Sequence, residues 1–166
     1  MHIHIAELNA GLGKELPFSF TTAAADIDAT AADYAFEGPI EVEGHVTNTG
    51  TGYRVEGVIR ARKRFICDRC LEECLETQEH AFSEMFRQGT PAEGDDVNFF
   101  DGDEIELQEL VRDTLLAAQP LSNICKPDCK GLCPVCGANL NHGDCGCDRF
   151  VPDPRLAALQ QFQAKE

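Results

Sequence analysis

Residues 40–66 read IEVEGHVTNTGTGYRVEGVIRARKRFI, and this stretch decides the fold. Ile40-Glu41-Val42-Glu43 alternates apolar and charged residues, the period of a half-buried strand, which continues to about Thr47. Asn48-Thr49-Gly50-Thr51-Gly52 supplies turn chemistry, because Gly adopts positive φ freely and Asn nearly so. A long strand is then predicted from Tyr53 to about Ile66. Two strands joined by so short a turn form an antiparallel hairpin.

Further strands extend the hairpin on both sides. His2-Ile3-His4-Ile5 alternates and predicts a first strand, with His2 and His4 on one side of it. Leu16 to Thr21 predicts a second. Residues 22–35 lack a period and read as a polar connection. Leu75 to Phe86 reads as a strand, with Thr77, Phe82 and Phe86 outweighing the helix-favouring Glu and Met. Residues 88–104 hold Gly89, Pro91, Gly94, Gly102 and many acids, and read as an exposed loop. Leu107, Leu110, Val111, Leu115 and Ala118 repeat at helical spacing. Asp103 and Glu104 suit the start of that helix and Pro120 its stop. Asp153-Pro154 resembles a helix start, and Leu156, Leu159 and Phe162 predict a short tail helix.

The expected class is α+β: an antiparallel β-sheet with one or two helices and a C-terminal, zinc-stabilised Cys-rich segment. Residues 1–122 would form the sheet and helix, 123–150 the Cys-rich segment packed on it, and 151–166 the tail helix. All three are expected to make one folding unit.

The chain has 166 residues, 14 Lys and Arg, 29 Asp and Glu, and a formal charge of −15. With 43% hydrophobic residues it has the material for a core, so it needs no disulfides to fold. The start, MHIHIAELNAGLGKELPF, has neither the charge nor the apolar run of a signal peptide. No apolar stretch reaches membrane-spanning length. A cytoplasmic location is expected, where thiols stay reduced. Nine cysteines, an odd number, suit metal binding better than a disulfide framework.

Eight of the nine fall into close pairs: Cys67/Cys70, Cys125/Cys129, Cys133/Cys136 and Cys145/Cys147. A gap of two residues in a tight turn lets two thiolates reach one tetrahedral ion at about 2.3 Å. Gly137 after Cys136 lets the backbone turn beneath the metal. Eight thiolates make two sets of four, so two zinc ions, both structural, are expected. One pairing joins Cys133/Cys136 to Cys145/Cys147 and Cys67/Cys70 to Cys125/Cys129. Another joins Cys67/Cys70 to Cys133/Cys136 as a single zinc ribbon. Cys74 is left over, and His142 is a reserve ligand.

The net charge hides an asymmetry. Arg54, Arg60, Arg62, Lys63, Arg64 and Arg69 face only Glu56 and Asp68 within residues 54–69, a local charge of +4. Arg54, Arg60, Arg62 and Arg64 would share one strand face. Lys126 and Lys130 would extend the strip. These residues are the candidate contacts to RNA phosphates or a partner, against the plainer reading of solvated residues paired to Glu41 and Glu43. Residues 93–109 form an acidic block that would attract a basic protein or keep the chain in solution. No phosphate loop, metalloprotease motif or nucleophile elbow is present, so no catalytic residue and no small-molecule substrate are assigned and the chain reads as a non-enzyme.

Cys67-Asp68-Arg69-Cys70-Leu71 after a basic strand, the helix before Pro120-Leu121, and CKPDCKGLCPVCGANLNHGDCGC from Cys125 together resemble the bacterial YceD family. Its members are described as large ribosomal RNA subunit accumulation proteins. The resemblance runs from the second strand to Asp153-Pro154-Arg155, and Gly131–Asn141 is its most specific part. It implies a non-enzymatic role in 23S ribosomal RNA accumulation and large-subunit assembly, with large-subunit RNA or a ribosomal protein as partner. Cys74 departs from the family's usual aromatic or aliphatic residue. The competing reading is a zinc- or redox-responsive regulatory module.

Overall fold

The computed structural model describes residues 1–32, 34–90, 97–149 and Arg155. The chain divides into two compact units. One comprises residues 1–66 and 73–123, and the other residues 67–72 and 124–166.

The first unit is built on a five-stranded sheet. Its strands are β2 (Glu15–Thr22), β3 (Tyr34–Asn48), β4 (Tyr53–Ile66), β5 (Glu73–Gln88) and β6 (Asn98–Phe100), hydrogen-bonded in that order. The pairs from β2 to β5 are antiparallel, and β6 joins β5 in parallel. A separate two-stranded sheet pairs β1 (His2–His4) with β7 (Glu104–Glu106). One helix follows, α1 (Gln108–Ala117). The fold is therefore α+β, as the hairpin pattern predicts.

Alternation explains how β4 sits. Val55, Ile59, Ala61 and Phe65 point to the buried side, while Arg54, Arg62 and Arg64 point out. The core gathers Val55, Ile59 and Ala61 with Ile40, Val42 and Val46 of β3, Phe82 and Phe86 of β5, and Val111 and Leu115 of α1. Across its centre runs one row in register: Phe18, Gly44, Gly57, Phe82. A Cβ on Gly44 would stand 2.8 Å from the Phe18 ring, and one on Gly57 would stand 2.9 Å from Phe82. The two rings lie over the two glycines, so neither position has room for a side chain.

Three elements differ from the sequence expectation. β3 starts at Tyr34 rather than Ile40, because residues 38–40 bulge out opposite Ala61 alone and pairing resumes beyond them. Gly38, at φ +74°, makes that bulge possible, so Gly38-Pro39 interrupts the ladder without ending the strand. The connection 22–35 carries a 3₁₀ turn, Ala24–Ile27, whose Ile27 enters the core together with Ala29. The loop 88–104 contains β6 and the first residue of β7, and Phe100 is buried. In β6, Asn98-Phe99-Phe100 shows no alternation, and Glu104 of β7 reads equally as a helix start.

The start of α1 also differs. Leu107, fully buried, precedes its first turn, whose acid is Glu109, while Glu104 belongs to β7. There Glu104 faces the His4 Nδ1 at 3.1 Å and the His2 Nδ1 at 3.6 Å. Gln119 ties the end of α1 to β5 by donating to Gln78 Oε1 at 3.0 Å. The tail helix expected at 151–166 lies outside the described residues, Arg155 excepted.

Candidate metal centres

The second unit places eight of the nine cysteines. The first hook follows β4. The Leu71 N–H donates to the Cys67 carbonyl at 2.9 Å and closes a tight turn. Leu71 is left-handed there, at φ +58°. The hook at Cys133–Cys136 repeats this geometry. The Gly137 N–H donates to the Cys133 carbonyl at 2.9 Å, with φ +74°. The same turn is thus built once on glycine and once on leucine.

The thiols converge in two sets of four. Cys67, Cys70, Cys125 and Cys129 form one, and Cys133, Cys136, Cys145 and Cys147 the other, with all sulfurs of a set within 4.8 Å. Cys67 Sγ lies 3.9 Å from Cys129 Sγ, and Cys70 Sγ 3.8 Å from Cys125 Sγ. A tetrahedron with bonds of about 2.3 Å has edges of about 3.8 Å. A disulfide would need about 2.05 Å. The donors therefore fit a tetrahedral soft ion, and either set could hold a metal. The thiols of Cys67/Cys70 and Cys133/Cys136 belong to different sets, so the single-ribbon pairing is not the one adopted. Cys74, on β5 opposite Phe65, belongs to neither set. His142 faces Glu72 at 3.0 Å and is in neither set.

Electrostatics within the sets points the same way. Burial pushes the Cys67 thiol up, but N–H groups of Cys125, Cys70 and Arg69 outweigh it and bring it down to about 6. Cys133 also falls to about 6, because the N–H groups of Cys136 and Val135 point at its sulfur. The Asn141 amide, 3.3 Å from Cys129 Sγ, lowers Cys129. In contrast, burial and the neighbouring sulfurs push Cys125 up, and Cys136 and Cys145 push Cys147 up to about 12. Each set thus holds thiols that ionise readily beside thiols that resist a further negative charge. A divalent cation removes that conflict.

Two bracing residues were not legible as such in the sequence. The Arg69 guanidinium donates to the carbonyls of Cys129 at 3.1 Å and Pro127 at 3.4 Å, tying the first hook to the second. Asn141 also accepts from the Lys130 N–H at 3.0 Å through its Oδ1. Only the position of Asn141 at the end of the Gly131–Asn141 string hinted at a role. Gly131, at φ +70°, lets the chain pass the Arg69 carbonyl, which a Cβ would meet at 3.0 Å.

The basic strip is less basic than its sequence. Arg60 sits between Glu43 at 2.8 Å and Glu79 at 2.9 Å, and Arg64 between Glu37 at 2.6 Å and Glu73 at 2.8 Å. These carboxylates hold both guanidinium protons more tightly than usual. Lys63, expected with the exposed bases of the strip, is instead buried. Its odd position in β4 turns it to the core, where it is 1% exposed. Arg54 and Arg62 are exposed, and neither has an ion pair among the described residues, nor do Lys126 and Lys130.

The family model "Large ribosomal RNA subunit accumulation protein YceD" matches residues 55–163. This chain belongs to the YceD family. The YceD match takes in β4 from Val55 onward, β5, α1 and both thiol sets. An uncharacterized protein of Mycobacterium tuberculosis H37Rv is 30% identical over 132 residues, 76% of this chain and 63% of that protein. The chloroplastic "Large ribosomal RNA subunit accumulation protein YCED homolog 1" of Arabidopsis thaliana is 27% identical over 169 residues, 81% of this chain and 53% of its own. Its Zea mays counterpart is 27% identical over 135 residues, 62% of this chain and 46% of its own. This YceD chain thus spans about half to two-thirds of the length of the relatives it matches. No solved structure matches it. Among the described residues no helix is long and apolar enough to cross a membrane.

Proposed function

We propose that this chain is a non-enzymatic ribosome biogenesis factor of the cytoplasm that supports 23S ribosomal RNA accumulation and large-subunit assembly. Membership of the YceD family, two of whose plant members are named large ribosomal RNA subunit accumulation proteins, is the observation that supports the reading most. Two structural zinc ions, one per thiol set, hold the Cys-rich unit. Four thiolates fill a tetrahedral zinc and leave no position for water or substrate, so the ions shape the unit and do no chemistry. Zinc there neutralises part of the thiolate charge and fixes the two hooks. Contact with ribosomal RNA or a large-subunit protein falls to those bases of the strip that no carboxylate among the described residues engages: Arg54 and Arg62, and in the Cys-rich unit Lys126 and Lys130.

The test is the ratio of 23S to 16S RNA in cells whose only copy carries Arg54, Arg62, Lys126 and Lys130 replaced by Glu. The ratio should fall toward that of a deletion strain while protein level and zinc content hold. A normal ratio and normal subunit profile, in the variant and in the deletion strain, would remove the reading.

A further inference from the structure

The two thiol sets differ in ways that bear on how firmly each keeps a metal. In the first, Cys67, Cys70 and Cys129 are all buried, at 0%, 3% and 5% exposure. In the second only Cys133 is buried, and Cys136 is exposed. An incoming ligand must reach the metal through a sulfur it can displace. The second set has a fully exposed cysteine and two half-buried ones, whereas in the first only Cys125 is half-buried.

Bracing differs as well. The first set joins hooks far apart in sequence, Cys67/Cys70 and Cys125/Cys129; Arg69 ties them through the Cys129 carbonyl, and Asn141 holds the Cys129 sulfur. The Cys125 N–H also reaches Cys67 Sγ at 3.4 Å. The two hooks of this set are separated by more than fifty residues of sequence. The second set closes within residues 133–147. Its distal hook, Cys145-Gly146-Cys147, turns on Gly146 at φ +71°. That hook can swing away without disturbing the first set.

We propose that the two centres are unequal by design: the Cys67/Cys70/Cys125/Cys129 centre keeps its zinc, and the Cys133/Cys136/Cys145/Cys147 centre exchanges zinc with thiol- or nitrogen-bearing acceptors, entry being at Cys136. Exchange is associative. The acceptor's lone pair binds the ion as the Cys136 thiolate leaves, and Cys147, Cys145 and Cys133 follow as the acceptor fills the coordination sphere. No electron is transferred; the sulfurs leave as thiolates and exchange protons with water. This inference rests on the two-zinc reading above.

The experiment uses the full chain loaded with Zn²⁺ and freed of excess. Metal analysis comes first: fewer than two ions per chain overturns the two-zinc reading, and this inference with it. A chromophoric nitrogen chelator is then added, and release is followed alongside alkylation mapped by mass spectrometry. The expected result is two phases of equal size, the faster by about tenfold to 100-fold, the range that bracing partners are worth in metal sites. Cys133, Cys136, Cys145 and Cys147 should be alkylated in the fast phase only. Cys136→Ala should abolish that phase and leave the slow one unchanged. Two ions lost in a single phase, or alkylation of Cys67 or Cys129 first, overturns the inequality and leaves the two-zinc reading standing.

Discussion

Lys63 donates a 2.6 Å hydrogen bond to Asn123 Oδ1 inside the protein, although it sits between the outward-facing Arg62 and Arg64. Its ammonium lies 4.6 Å from the centre of the Tyr34 ring and 5.2 Å from that of Phe65. A buried ammonium is tolerated when oxygen and aromatic faces replace its water. Lys63→Ala removes that donor and opens a cavity, and should cost about 2–4 kcal/mol. Arg62→Ala, one residue away, should leave stability nearly unchanged. Urea melts of both variants check this, and equal effects would contradict the assigned faces.

The glycine pair at the sheet centre predicts a second asymmetry. A Cβ on Gly44 would lie 2.1 Å from the Glu56 carbonyl and 2.7 Å from Gly57 Cα, both backbone atoms that cannot swing aside. Gly44→Ala should therefore lose about 1–3 kcal/mol or more, by the cost of overpacking. A Cβ on Gly11 would meet nothing within 4 Å, and the backbone there is extended, so Gly11→Ala should be close to neutral. Thermal melts of the two variants give the comparison.

The two hooks predict opposite effects for opposite exchanges. Leu71 bears the left-handed conformation that costs an L-residue roughly 1–2 kcal/mol. Gly137 occupies the same place in its own hook without that cost, and space around it is open. Leu71→Gly should stabilise the metal-loaded chain, by less than about 1 kcal/mol after the added freedom of the unfolded chain is counted. Gly137→Ala should destabilise it by about 1 kcal/mol. Denaturation at fixed free Zn²⁺ measures both.

Metal removal should act on one unit. The Cys-rich segment has little apolar core of its own, with Leu140 its one buried aliphatic residue among those described. The sheet unit has an extensive core. Stripping metal with a strong chelator should abolish amide protection in residues 124–149 and spare β3, β4 and the core-facing part of β5. Hydrogen exchange read by mass spectrometry resolves the two regions. Loss of protection in the centre of β4 would show that the sheet depends on the metal.

Local pattern alone determined the hairpin, the helix and the pairs of thiols. Alternation from Ile40 to Ile66, apolar spacing from Leu107 and gaps of one to three residues between cysteines are all properties of neighbouring residues. The strand parity that turns Lys63 inward was legible too, but a lysine flanked by arginines has the composition of one more exposed base. Tertiary structure decided what depends on residues far apart. It matched Cys67/Cys70 with Cys125/Cys129, because which hooks share an ion depends on where the chain returns. It neutralised Arg60 and Arg64 with glutamates from both adjacent strands, which cross-strand register alone sets. It also carried β3 past Gly38-Pro39, since a bulge survives only where the partner strand supports both sides. Local spacing names the ligands and the faces; the return path of the chain chooses their partners.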